Sequence, residues 1–218
     1  MAENHVSKHL ISVARTARYF TLNSITPQTK KIWIVFHGYG QLGEYFIRHF
    51  NALNPNENAI IALEGLSRFY VEGLSGRVGA SWMTKENREE EVTDQWGYIN
   101  AVLHDCGIDI TDQRLVVLGF SQGTATAIRW MAKNHIRTKQ LVIWAGQWPH
   151  DVALHDMLPL LTNTKVDFCI GTQDEFITPS QVEERMEELK KFLPQLDVHW
   201  FDGKHVMHAK TLLHVAST

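Results

Sequence analysis

The sequence is poor in cysteine and has no long apolar run. Only Cys106 and Cys169 occur among its 218 residues. Cys106 falls at the end of a helical pattern and Cys169 inside a strand pattern. Two buried thiols fit a reducing cytoplasm better than a secreted disulfide framework. No apolar stretch approaches the ~18–20 residues that a membrane span needs, so stable membrane insertion is not expected. The opening MAENHVSKHL lacks a charged segment followed by an apolar one, so no signal peptide is expected either. Charge of one sign is also missing: 21 Lys and Arg stand against 24 Asp and Glu, for a net charge of -3. The basic residues are scattered, which argues against a nucleic-acid partner. The 12 histidines contain no H-E-x-x-H and the cysteines no C-x-x-C, so no metal site is indicated. Internal repeats and low-complexity segments are absent.

What is present is a globular balance. At 44% hydrophobic and 21% charged, the chain can fill a sizeable core as one domain over residues 1–218. Seven tryptophans are many for this length and leave room for an aromatic pocket. Residues 8–22 alternate and carry β-branched and aromatic residues, which predicts one or two antiparallel strands. KKIWIVF (30–36), NAIIALE (58–64), RLVVLGF (114–120), KQLVIWA (139–145) and KVDFCIG (165–171) are runs apolar on both faces. Such runs suit central parallel strands covered on both sides. Helical patterns lie between them at 43–53, 87–105, 122–135 and 179–192, and HWF is followed by a last helix over 205–216. Strand and helix alternate almost throughout, which predicts an α/β fold with a mostly parallel sheet. Residues 65–85 form one long connection without periodicity, and such loops often belong to a site.

The segment VVLGFSQGTATAIRW (116–130) runs from a strand through G-x-S-x-G into a helix. That is the context of a nucleophile elbow, in which Ser121 sits on a strained turn and Gly119 and Gly123 permit close packing of strand and helix. A nucleophilic serine needs a base and an acid that orients it, in the chain order Ser, Asp or Glu, His. FCIGTQDEFITP places Asp174 past the end of a strand, with Glu175 as its competitor. WFDGKHVMH places His205 past the last strand, with His208 as its competitor one helical turn on. An acyl-transfer intermediate also needs N–H donors for its oxyanion. Gln122, next to the nucleophile, supplies one. By position, Tyr39 in the loop VFHGYGQLG supplies the other.

That loop carries a decoy. GYGQLG (38–43) is a G-x-G-x-x-G between a strand and a helix, and Glu64 closes the next strand, which is the outline of a dinucleotide site. Glu44 follows the third glycine and would set a carboxylate near a pyrophosphate. Tyr39 and Gln41 crowd a turn that needs small residues. An oxyanion loop explains the same residues together with Ser121, Asp174 and His205.

FHGYG, LGFSQGTATA, GTQDEFITP and FDGKH together resemble the α/β-hydrolases, specifically the phospholipase/carboxylesterase group that includes acyl-protein thioesterases. The resemblance runs from about residue 30 to the end. It implies an α/β-hydrolase fold and the cofactor-free cleavage of small-molecule carboxylic esters or thioesters, with lysophospholipids among the candidate substrates. It implies Ser121 as nucleophile, Asp174 as acid, His205 as base, the N–H groups of Tyr39 and Gln122 as oxyanion hole, and Trp82 as part of the pocket lining. Trp148, in GQWPHD, is expected to narrow an acyl groove. Two departures stand out. Thr124 occupies the place of a customary third glycine, and GASWMTKENREEEV replaces a shorter aromatic stretch. A non-catalytic binder of a small acyl or aromatic ligand remains compatible with this fold, as do a peptidase and an acyltransferase. The oligomeric state is open.

Overall fold

The computed structural model describes residues 5–218; residues 1–4, part of the opening segment read above for a leader, lie outside them. A seven-stranded sheet organises the chain. Its strands are β1 (Tyr19–Leu22), β2 (Lys31–Phe36), β3 (Asn58–Leu63), β6 (Leu115–Phe120), β7 (Gln140–Trp144), β8 (Lys165–Gly171) and β9 (Leu196–Phe201). They lie in the order β1-β3-β2-β6-β7-β8-β9, every neighbouring pair parallel except β1, which runs antiparallel to β3.

Every residue of β2, β3, β6 and β7 is buried, because apolar side chains on alternate positions feed two separate cores. On one face, Ile34, Val117 and Ile143 pack with Ile99, Ile128 and Met186. These come from α2 (Arg88–Asp105), α3 (Gln122–Lys133) and α5 (Pro179–Lys190). On the other face, Val35, Leu118 and Val142 pack with Phe46, Phe50 and Leu212, from α1 (Gly43–Phe46), the turn after it, and α6 (Ala209–Ser217). Burying each such side chain contributes roughly 1.5–3 kcal/mol. No helix among the described residues is long and apolar enough to cross a membrane.

The α/β reading holds, with corrections at its irregular parts. Only Tyr19–Leu22 of the 8–22 segment forms a strand. Residues 5–18 run along the surface without ladder partners. The 43–53 pattern splits into the four-residue α1 and a tighter 3-10 turn over Ile47–Ala52. The 65–85 connection contains a hairpin of β4 (Ser67–Tyr70) and β5 (Val78–Ser81), whose strands of four residues are too short to show a period. An eight-residue helix, α4 (Leu154–Leu161), was not anticipated, and Pro159 inside it explains why. The last helix begins at Ala209, after bends over 202–206. The α5 start is capped by Thr178, whose hydroxyl accepts from the Gln181 N–H while the Gln181 side chain accepts from the Thr178 N–H.

Strand order reverses between β2 and β6, with β3 on one side and β7 on the other. Open α/β sheets bind ligands at such a switch point, beyond the carboxyl ends of the strands. The loop after β2 begins at His37, and the residue after β6 is Ser121.

Candidate active site

Ser121 is the single residue between β6 and α3, at φ 53° and ψ -120°. Such a backbone costs a residue with a Cβ on the order of 1–3 kcal/mol. Its surroundings enforce it. The Ser121 N–H donates to the Trp144 carbonyl at 2.8 Å, and its own carbonyl accepts from the Thr124 N–H at 3.1 Å. A Cβ on Gly119 would lie 2.3 Å from the Thr124 Cα, and one on Gly123 2.3 Å from the Phe36 carbonyl oxygen. The two flanking glycines are therefore what lets α3 leave β6 so abruptly. Thr124 fits where a third glycine was expected because its hydroxyl donates to the Gly119 carbonyl at 2.7 Å. The space it needs comes from Gly146, whose added Cβ would meet the Thr124 hydroxyl at 2.1 Å.

Asp174 and His205 are brought together from the ends of β8 and β9. Asp174 Oδ2 lies 2.7 Å from His205 Nδ1. Asp174 Oδ1 accepts from the N–H groups of Phe176 at 2.9 Å and Ile177 at 3.0 Å, and its side chain is fully buried. The imidazole is held between Phe120, at 5.0 Å between centroids, and Phe176, edge-on at 4.7 Å. Phe120 adjoins Ser121, so the ring that meets His205 is carried by the elbow itself. The competitors are placed elsewhere. Glu175 is exposed, and His208 bonds to Thr211 Oγ1 and stacks flat on Phe201. Among the described residues, His205 Nε2 and Ser121 Oγ have no hydrogen-bond partner and do not bond to each other.

The backbone N–H groups of Tyr39 and Gln122 likewise have no partner among the described residues. The neighbouring Gly40 N–H donates to the Ala80 carbonyl, which ties the Tyr39 loop to β5. The Tyr39 side chain is exposed and stacks near Phe69, 5.0 Å between centroids. His37 is buried. Its Nε2 faces the Gly65 N–H at 3.0 Å and its Nδ1 the Gly38 carbonyl at 2.7 Å. Burial pulls its pKa down to about 4, against the opposing influence of the Gly38 carbonyl and of Glu64. Glu64, the acid of the dinucleotide outline, has a structural use instead. It is 2% exposed, takes ion pairs from Arg18 and Arg68, and accepts from the Gly43 N–H.

Trp82 requires a correction. It has no exposed surface, so it lines no pocket and packs instead behind the loop, against His37 and Phe36. Trp148 does border a cavity of about 460 Å3 between β7, β8 and α5, along with Ile143, Phe168, Ile177, Val182 and Met186. None of Ser121, Asp174, His205, Tyr39 and Gln122 lines this cavity; of its lining residues, Gly146 lies against Thr124 and the Ile177 N–H donates to Asp174 Oδ1. Sequence reasoning missed the side-chain contacts of Gln122, which accepts from the Trp82 N–H at 3.0 Å and donates to the Met83 carbonyl at 2.8 Å. It also missed Phe176. Nothing in the local pattern marks either contact, since both depend on segments distant in the chain or on a loop's curl.

Comparison with known proteins agrees with this architecture. No curated protein is similar enough in sequence to match. The structure is similar to that of Zea mays acyl-protein thioesterase 2, with a TM-score of 0.69 at 16% identity, covering 93% of this chain and 97% of that one. It is also similar to a Bacillus cereus carboxylesterase, at TM-score 0.63 and 14% identity over 92% of this chain and 94% of that one. A Mesorhizobium loti carboxylesterase gives TM-score 0.64 and 14% identity over 87% and 89%. At these identities the likeness establishes the fold, an α/β-hydrolase fold. The sequence model of the phospholipase/carboxylesterase family matches residues 18–217, and the chain therefore belongs to that family of hydrolases.

Proposed function

We propose that the protein is a serine esterase that cleaves carboxylic esters or thioesters of small to medium acyl chains through an acyl-enzyme. The observation that carries this reading is the buried Asp174–His205 pair, 2.7 Å apart, set at the same sheet edge as a serine on a strained strand–helix turn. A structural serine gains nothing from that strain, and a non-catalytic binder has no use for the pair.

In this reading Ser121 Oγ attacks the carbonyl carbon and gives its proton to His205 Nε2. Asp174 Oδ2 holds the proton on Nδ1, which fixes the tautomer that leaves Nε2 basic, and stabilises the imidazolium that forms. The N–H groups of Tyr39 and Gln122 receive the oxyanion. The tetrahedral intermediate collapses, and the proton on Nε2 goes to the departing alcohol or thiol. Water, deprotonated by the same nitrogen, then releases the acid. Catalytic hydrogen bonds in a free enzyme are often open and close on substrate binding, which accounts for the unbonded Ser121 hydroxyl. The cavity beside Trp148 takes the acyl chain. The free thiols of Cys106 and Cys169 fit a reducing cytoplasm.

The test is labelling with a fluorophosphonate probe together with turnover of 4-nitrophenyl butyrate. Ser121→Ala is expected to lose the adduct and at least ~10^3-fold in kcat, with an unchanged unfolding transition. Full turnover by that variant sinks the reading. An adduct without ester turnover would point to a peptidase or an acyltransferase on the same fold.

A further inference from the structure

The two backbone N–H groups assigned above to the oxyanion come from segments more than eighty residues apart in the chain, Tyr39 after β2 and Gln122 after β6. An oxyanion hole works only if its donors are aimed before the charge develops, since reorientation during the reaction would cancel the gain. A continuous set of contacts, part-buried at Gln122 and buried at Trp82 and His37, joins these two segments. The Gln122 side chain accepts from the Trp82 N–H at 3.0 Å and donates to the Met83 carbonyl at 2.8 Å. The Trp82 indole N–H donates to the His37 carbonyl at 2.7 Å, and its ring lies 4.9 Å from the His37 ring. His37 accepts the Gly65 N–H at Nε2, so the ring proton resides on Nδ1 and is donated to the Gly38 carbonyl at 2.7 Å. That carbonyl belongs to the same peptide unit as the Tyr39 N–H. In a planar trans peptide the two point in opposite directions, so whatever fixes the Gly38 oxygen also fixes the aim of the Tyr39 N–H.

We propose that the Gln122 side chain, Trp82 and His37 form a brace that sets the separation and aim of the two oxyanion donors, making them positioning residues for the reaction. The inference rests on the serine-esterase reading. It also explains why the 65–85 connection lies where it does. One end supplies the Gly65 N–H that fixes the His37 tautomer, and the other end delivers Trp82 and Met83. Between them the β4–β5 hairpin holds the loop through Gly40 and Gln41, both bonded to Ala80. None of the three side chains needs to touch substrate.

Gln122→Met keeps the side chain's length and removes its amide, while Trp82→Phe keeps an aromatic ring, smaller than the indole, and removes the indole N–H. Both are expected to lower kcat on 4-nitrophenyl butyrate by roughly 10- to 100-fold, less than the ~10^2–10^3 lost when an oxyanion donor itself is deleted. KM is expected to stay within about twofold. Affinity for a phenylboronic acid, whose tetrahedral adduct places an oxygen in the hole, should fall in step with kcat. The double variant should lose less than the product of the single losses, because both break one brace. His37→Asn, which can still donate to the Gly38 carbonyl, should keep more activity than His37→Ala. Unchanged kcat in both Gln122→Met and Trp82→Phe overturns the brace, as does a loss of kcat with undiminished boronate affinity. If Trp82→Phe fails to fold, Gln122→Met alone decides, since its amide lies at the helix start and not in the core. Should Ser121→Ala retain turnover, the esterase reading itself has failed; inactive Ser121→Ala beside fully active brace variants refutes the brace alone.

Discussion

Replacing Asp174 with asparagine changes one atom at the centre of the site, and the surroundings dictate how the new amide must sit. Asp174 Oδ1 accepts from two backbone N–H groups, Phe176 at 2.9 Å and Ile177 at 3.0 Å. An NH2 group turned toward them would face two donors, so the amide keeps its oxygen there and points its nitrogen at His205 Nδ1. That nitrogen, 2.7 Å from the carboxylate in the parent, must then accept, and the ring proton moves to Nε2. A protonated neutral Nε2 cannot take the Ser121 proton. The expected loss in kcat is about 10^4-fold, or roughly 5.5 kcal/mol of transition-state stabilisation. Folding should be nearly unaffected because every hydrogen bond is still made. Asp174→Ala provides the contrast: it strands the two N–H groups, each worth about 1–3 kcal/mol when buried without a partner, and should lower stability as well as activity. The assay is 4-nitrophenyl butyrate turnover beside urea unfolding for both variants. The reasoning is refuted if folded Asp174→Asn keeps more than a tenth of parental kcat, or if Glu175→Gln is the more damaged enzyme.

Three further outcomes follow from the same geometry. His37 is buried with its pKa lowered to about 4, below the ordinary value of about 6.5, so the unfolded chain binds the extra proton first. Its contribution is complete above pH 6.5 and is lost as pH falls toward 4, on the order of 3 kcal/mol; unfolding free energies between pH 7 and 4.5 should show this slope, and His37→Asn should flatten it. Met186→Trp fills the cavity beside Trp148 and should cut kcat/KM for 4-nitrophenyl octanoate at least tenfold relative to acetate, an outcome that equal losses on both esters would contradict. Thr124→Val removes the hydroxyl that donates to the Gly119 carbonyl at 2.7 Å while keeping shape, and should cost about 1–2 kcal/mol in urea unfolding.

The parallel strands β2, β3, β6, β7 and β8 were legible because each is a run apolar on both faces, and only a sheet covered on both sides accommodates such runs; the partly exposed edge strand β9 was legible only in its last three residues. The elbow was legible because its steric demands are local: Gly119 and Gly123 must be small wherever a serine is forced between strand and helix. Asp174 and His205 were legible by chain order and by their position after strands. Less could be read where structure depends on partners from elsewhere. Residues 8–18 have strand-like composition but no ladder partner, and the hairpin in 65–85 has strands of only four residues, one of them the small-residue stretch VGAS, too short to show a period. Trp82 looked like a pocket residue because an aromatic side chain near a site is ambiguous until its neighbours are known; buried between His37 and Phe36, it has no face left for substrate.

By itself, then, the sequence determined the layered α/β architecture and the family, and it singled out Ser121, Asp174 and His205 as the residues proposed for the reaction, since these follow from periodicity, chain order and steric needs within a few residues. Only the tertiary structure decided which of two neighbouring carboxylates meets the imidazole, which tautomer His37 holds, where Thr124 finds room, and how Gln122 reaches the loop of Tyr39 through Trp82. Those are contacts between residues dozens of positions apart, and their geometry comes into being only when the sheet brings the ends of β2, β6, β8 and β9 to one edge.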